Sequence, residues 1–370
     1  MPARRHVDAH ACESAVPVAE HERRSLLGFA SRVAALLGHR DGGLYDAGTH
    51  GGAGAFFVPD ATLTTAQADA LGIAGMDDLF GGVVPHAFVG TKAISHPLVR
   101  RGAASVPGWN EEFARRIGPL VLDGYTVFDA ADACEAGARL LARGRVRVKP
   151  VQAKGGLGQA VASDAAALAA VLHRLDAHDL AMHGLVLEED LDEVATISVG
   201  QVRVGPTTAS YVGTQRRTRN NRGGTVFGGS DLSAVRGGFE DLLASAQADE
   251  LRSAIAQALR FHEAAHACYP GLYASRANYD VLLGRDASDQ LRCAVLEQSW
   301  RVGGATGAEI AALEALQADP SRQRVCASCF EVFGERAKPL PGATVYFRGV
   351  DPQVGPLAKF TVLHPDDRAH

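Results

Sequence analysis

Several groups of residues in this 370-residue chain have types and spacings that suit chemistry on a phosphorylated ligand. In Arg145-Val-Arg-Val-Lys-Pro-Val-Gln-Ala-Lys-Gly-Gly-Leu-Gly, a strand ends at Lys149 and enters a loop with Gly155, Gly156 and Gly158. Glycines let backbone N–H groups close on phosphate oxygens. Lys149 would place a compact charge on inner phosphates, with Lys154 near the terminal one. The loop is not a P-loop, because no Gly-Lys-Ser/Thr ends it, and it lacks a dinucleotide fingerprint. The plain alternative is a tight hairpin with surface lysines.

The apolar run 185–187 leads into Glu188, Glu189 and Asp190. As an edge strand it would offer backbone to a base, with Glu189 or Glu193 on ribose hydroxyls; otherwise it is a strand entering a solvated turn. Asp280 and Glu297, on neighbouring predicted strands, can hold Mg²⁺ between them, since magnesium completes its shell with water and phosphate. Arg301 would meet a transferred phosphoryl group. Arg216, Arg217, Arg219 and Arg222 form either a clamp for an anion or a charged loop. Lys92, Ser95 and His96 are close together, but no acid partner is identifiable.

Two zinc patterns compete with this reading. His262-Glu263-Ala264-Ala265-His266 has the short zincin spacing, without an evident third ligand. Cys326 and Cys329 make half a zinc site, with Cys268 and Cys293 as conceivable partners.

The elements that must position these residues read as follows. Residues 1–20 look like a flexible arm and 21–105 like a small α/β domain opening with a helix at 24–37. Strands at 120–122, 126–128, 146–149 and 159–162 alternate with helices begun by Asp129 and by Ser163 or Asp164, which suits a layered subdomain over 106–184. A larger subdomain over 185–335 holds strands at 185–188, 196–204 and 208–213, a helix at 249–268, and a hairpin at 279–283 and 293–298. Thr306 and Glu309 have capping-box spacing for the next helix. Residues 336–370 end in two strand-like runs and a tail.

Composition excludes other classes. The 37 basic and 42 acidic side chains leave a charge of −5, and aromatics are 6%. Neither nucleic acid nor a membrane surface is therefore an expected partner. No apolar run reaches 18 residues, and the six cysteines are too dispersed for a disulfide framework, so a cytoplasmic protein is expected.

In series, Lys149, the glycine loop, Val186-Leu187-Glu188-Glu189, Asp280 and Glu297 resemble the ATP-grasp superfamily, closest to an uncharacterised bacterial branch of it, over about residues 85–310. The resemblance implies an α+β fold: a two-subdomain core gripping ATP, preceded by a small α/β domain. It further implies that Lys92 and Lys149 bind nucleotide, that Gly155, Gly156 and Gly158 close over the phosphates, and that Glu188 or Glu189 lies beside adenine, with Glu193 near the following strand. Asp280 and Glu297 would bind Mg²⁺. Ser299 stands where asparagine is usual, which bears on a second ion. The implied reaction is an ATP- and Mg-dependent ligation that activates a carboxylate as an acyl phosphate for attack by an amine or other nucleophile. Arg301, Lys154, Arg216 and Arg217 would supply positive charge. The expected partner is a small, anionic substrate, with a homodimer left open. The rival readings are a non-catalytic ATP-binding regulatory or scaffold protein and a zinc-dependent hydrolase built on His262, Glu263 and His266.

Overall fold

A computed structural model describes residues 5–12, 18–48, 54–152, 158–286 and 288–365. The chain starts within a sheet. β1 (His6–His10) is the middle strand of a parallel sheet between β2 (Arg40–Leu44) and β3 (Phe56–Pro59). The arm expected over residues 1–20 is thus corrected for its described part. Val7 and Ala9 are buried under α1 (Glu20–Leu37), whose Leu26, Phe29, Ala30 and Val33 share their cluster. A second small sheet joins β4 (Leu63–Thr64) and β5 (Gly82–Val84), with α2 (Thr65–Leu71) begun by a Thr64–Gln67 capping box.

Two short 3₁₀ turns, Ala87–Gly90 and Lys92–Ser95, lead to α3 (Glu111–Ile117), capped by Asn110. The strand expected at 120–122 does not form: a 3₁₀ turn begun by Gly118 and Pro119 runs into Leu120, since Pro119 fixes the backbone and has no N–H for a ladder, and 121–122 pair in no strand. Next come β6 (Gly124–Val127), α4 (Ala130–Leu141), β7 (Val146–Pro150), β8 (Ala160–Ala162), α5 (Ala165–Leu172), α6 (Ala177–His183) and β9 (Leu185–Glu189). Asp129 and Asp164 accept the N–H of the third helical residue in α4 and α5, as their positions predict.

The four strands form one sheet in the order β6-β9-β7-β8. β9 is therefore an interior strand with both edges paired, which corrects the edge-strand expectation and places residues 185–189 with the smaller subdomain. Leu185 and Leu187 point into the cluster beneath α4 and α5. Val186 and Glu188 point the other way, as a period of two requires.

Only Asp190 and Leu191 separate β9 from β10 (Asp192–Val204), which enters an eight-stranded sheet. The rest of that region follows as β11 (Thr207–Arg219), β12 (Thr225–Arg236), α7 (Phe239–Ser245), α8 (Asp249–Cys268), β13 (Tyr273–Ala274), β14 (Arg276–Arg285), β15 (Leu291–Ser299), α9 (Thr306–Ala318), β16 (Arg324–Phe333), β17 (Thr344–Asp351) and β18 (Gly355–Leu363). The large sheet runs β15-β14-β10-β11-β12-β16-β18-β17, so the two C-terminal runs extend the same sheet, while β13 pairs with β5. α8 packs on one face with Val199, Tyr279 and Val281, and α9 with α1 covers the other over Val202, Tyr211 and Ala234.

The capping box expected at Thr306 does not form. Thr306 is the first helical residue, its hydroxyl accepts the Gly303 N–H, and Glu309 is fully buried against Arg276. Cys326 and Cys329 are three apart on β16 and so face opposite sides, which removes them as a shared metal site. Cys134, Cys268, Cys293 and Cys329 are free thiols. Among the described residues no helix is long and apolar enough to cross a membrane.

Candidate active site

The antiparallel register of β7 and β9 sets Lys149 opposite Val186 and Arg147 opposite Glu188, so Lys149 and Glu188 share a face. The Lys149 Nζ lies 3.0 and 3.1 Å from the two Glu188 oxygens. His96 Nε2 is 3.0 Å from Glu188 Oε2. All three side chains are buried. Burial alone would raise the Glu188 carboxyl, but Lys149 and His96 outweigh it and hold the group down at about 2. The His96 ring fits because Gly124, the cross-strand partner of Glu188, has no side chain: a Cβ there would come 2.7 Å from the ring.

Four residues earlier, Lys92 crosses to the other sheet, with Nζ 3.1 Å from Glu297 Oε2. The segment between β5 and α3 is fastened to β15, because Gln298 donates to the carbonyls of Val89 and Thr91 and Ser95 donates to that of Leu296. It is also fastened to β6, where Thr126 donates to the Ala93 carbonyl. One stretch of chain thus ties the Lys149–Glu188 pair to the carboxylates of the large sheet.

On that sheet Asp280 is the direct cross-strand partner of Glu297, and Asn278 that of Ser299. Asp280 accepts hydrogen bonds from Ser198 (3.0 Å) and Asn278 (3.1 Å). Burial and then the nearby Glu297 charge push its pKa up. Two carboxylates held side by side in this way suit a divalent cation. Among the described residues no group of three His, Cys, Asp or Glu side chains could hold a metal. A two-carboxylate seat fits magnesium, which takes water and phosphate as further ligands, better than zinc.

Arg301 follows β15, and its guanidinium donates to the Val302 carbonyl. Burial first, and then Arg276, lowers its pKa, while Glu297, Glu22 and Asp60 act the other way. Among the described residues no ion pair ties it down, and it lies between the end of β15 and the N-terminal region that carries Glu22 and Asp60.

Other expected site residues lie apart. Arg216 is on the opposite side of β11 from Gln215, grips both oxygens of Asp231 and stacks on Phe330, so it does not join the site. Arg217 is exposed on the Gln215 side of β11. Glu189 pairs with Arg292 at 3.0 Å and accepts the Asp123 N–H, and its pKa is raised by burial. Lys154, Gly155, Gly156 and the side chain of Glu193 lie outside the described residues. Gly158 is described, in the left-handed region at φ 69°.

The zincin pattern is a packing feature. His262 and His266 stack at 4.3 Å, His262 Nδ1 is 2.8 Å from the Tyr279 hydroxyl, and Glu263 is exposed. With no third ligand among the described residues, the zinc-hydrolase reading falls.

Sequence reasoning gave His96 no acid partner, since Glu188 is 92 positions away, and it missed the roles of Arg276 and Tyr211 altogether. The only local signal was the pair of cationic side chains at Lys92 and His96.

Residues 9–361 match the family described as Protein of unknown function (DUF3182). The chain belongs to that family. No curated protein matches it by sequence. Among solved structures it is similar to N5-carboxyaminoimidazole synthetase from Staphylococcus aureus complexed with ADP. Identity is 12% over 99% of this chain and 95% of that one, with a TM-score of 0.56. The biotin carboxylase domain of Hydrogenobacter thermophilus 2-oxoglutarate carboxylase gives 13% identity over 99% and 87%, also at 0.56. The N5-carboxyaminoimidazole synthase of Aspergillus clavatus gives 13% over 98% and 95%, at 0.52. These are ATP-grasp enzymes, and the likeness is one of fold: a mixed α/β architecture with two subdomains resembling theirs.

Proposed function

We propose that this DUF3182 protein is an ATP- and Mg²⁺-dependent ligase that activates a small carboxylate substrate for attack by an amine or other nucleophile. The observation that carries the reading is the strap from Lys92 to His96. It fastens to one short segment both the buried Lys149–Glu188 pair, through His96, and Glu297 of the Asp280/Glu297 pair, through Lys92.

The residues fit the groups that such a reaction needs. Leu122, Leu191, Leu282, Ala294 and Leu296 form a small apolar cluster beside the Asp190–Leu191 link, suited to the face of a purine. Asp280 and Glu297 would hold magnesium. Bound Mg–ATP would supply a phosphoryl group that converts the carboxylate into an acyl phosphate and leaves ADP.

Lys149 would neutralise phosphate charge, with its ammonium held by the two Glu188 oxygens. Arg301, which has no carboxylate within ion-pair distance among the described residues, would receive the substrate carboxylate by paired N–H donors. Positioning and charge neutralisation account for most of the barrier lowering in phosphoryl transfer, so no side-chain nucleophile is required. The thiols of Cys134, Cys268, Cys293 and Cys329 suit a reducing compartment, in keeping with a cytoplasmic enzyme.

The test is ADP formation with a panel of carboxylates in the presence of hydroxylamine, which traps acyl phosphates as hydroxamates. Carboxylate-dependent hydroxamate is the expected result. ATP binding without ADP formation on any acid would instead favour a regulatory ATP-binding protein, a reading that the Ser299 departure supports.

A further inference from the structure

The number of cations this site takes can be read from the hydrogen bonds on its oxygens; the inference rests on the nucleotide reading above. Four oxygen-bearing side chains meet where β14 and β15 pair: Asn278 opposite Ser299, and Asp280 opposite Glu297.

Asn278 is committed elsewhere. Its side-chain oxygen packs 2.9 Å from the Tyr211 hydroxyl oxygen, and its amide donates to Asp280 Oδ1. Asp280 Oδ1 also receives the Ser198 hydroxyl, itself 3.3 Å from the Gln215 amide nitrogen. The Gln215 amide also bears on this carboxyl, and among the described residues the placed hydrogen bonds fall on Oδ1, which leaves Oδ2 to face a ligand. Glu297 Oε2 is taken by Lys92, which leaves Oε1.

Ser299 differs in kind. The Arg276 Nη1 donates to both its carbonyl (3.1 Å) and its hydroxyl oxygen (3.2 Å). Arg276 is 2% exposed, and its Nε and Nη2 grip the two oxygens of Glu309, which also accepts the Tyr211 hydroxyl. This guanidinium cannot swing aside without stranding a fully buried carboxylate. A metal ion on the Ser299 hydroxyl would share that oxygen with a fixed cation, and Arg301 is a second positive neighbour.

We propose that the site seats a single divalent cation between Asp280 Oδ2 and Glu297 Oε1, and that the Arg276 guanidinium holds the Ser299 oxygens in place of a second ion. Asparagine's longer reach could bypass the guanidinium; serine's does not.

The test is equilibrium dialysis of the full chain against Mn²⁺ with a saturating non-hydrolysable ATP analogue, with bound Mn²⁺ read by electron paramagnetic resonance. One ion per chain with an uncoupled six-line spectrum is expected. Ser299→Ala should leave the Mn²⁺ dissociation constant unchanged, whereas Asp280→Asn should raise it at least about tenfold. Two ions per chain, a spin-coupled spectrum, or weakened binding in Ser299→Ala would overturn the single-ion inference while leaving the ligase reading intact. Absence of any analogue-dependent Mn²⁺ binding overturns both.

Discussion

Lys92 and His96 lie on one short segment and reach acids on different sheets: Lys92 meets Glu297 at 3.1 Å and His96 meets Glu188 at 3.0 Å. The spacing joins the Lys149–Glu188 pair to the Asp280/Glu297 pair through a single stretch of backbone. Lys92→Ala should therefore uncouple them. The expected result is turnover reduced by roughly 10–100-fold, since misplacement by about an ångström has such an effect, with nucleotide affinity less affected. Single-turnover kinetics separates the two.

Lys149→Ala leaves Glu188 buried with His96 alone. It should destabilise the fold by roughly 3–5 kcal/mol, whereas Lys149→Ala combined with Glu188→Gln should recover most of that loss, because no charge is stranded. Urea melts measure both, and ATP turnover should be absent in both. Glu188 ionises well below an ordinary glutamate, so the stability it contributes is present above about pH 4.5 and is lost as pH falls towards about 2. The double variant should lack that part of the acid transition.

Asp280 behaves with the opposite sign. Its pKa is raised by burial and by Glu297, so its ionised form opposes folding and the cost grows as pH rises through that value. Asp280→Asn should stabilise the protein and abolish any Mg²⁺-induced rise in Tm. In the unaltered chain that rise should be larger at pH 8 than at pH 5, because the cation binds the ionised pair.

Arg301→Gln should keep the fold, since burial beside Arg276 disfavours the charge that is removed. Hydroxamate formation should fall by roughly 10²–10³-fold. Arg216→Ala should leave turnover alone, because its guanidinium is spent on Asp231 on the far side of β11. A large effect of Arg216→Ala on turnover would contradict this placement.

His262 supplies a second acid transition. Burial first, and then His266, lower its pKa to about 3, so the folded state stays unprotonated while the unfolded chain takes up a proton below about pH 6.5. Stability should therefore decline as pH falls between about 6.5 and 3. His262→Gln should flatten that limb when stability is measured by Trp fluorescence, because the Trp300 indole shares the Tyr279 hydroxyl.

Alternation and caps made much of this legible in the sequence. α8 runs over the expected residues, and the β14/β15 hairpin puts Asp280 opposite Glu297 as the strand pattern implied. β1 escaped because His6, Asp8 and His10 look like solvent-facing polar residues, yet Asp8 is fully buried. β12 escaped because Gly228 and Gly229 read as a loop. Gly229 is instead a close approach, since a Cβ there would come 2.1 Å from the Cys329 carbonyl oxygen. Glu309 imitated a cap by its spacing, and only the buried Arg276 at 2.8 Å shows what it is for. Partners far apart in sequence leave no local trace, and so the His96–Glu188 contact could not be read.

The two-residue passage from β9 to β10 has a mechanical corollary. Both flanking strands are interior members of their sheets, so neither end can slide, and a joint this short admits rotation but hardly any translation. Any movement of one sheet against the other would then be a rotation about Asp190 and Leu191, and the Lys92–His96 segment, fastened to both sheets, limits how far it can go.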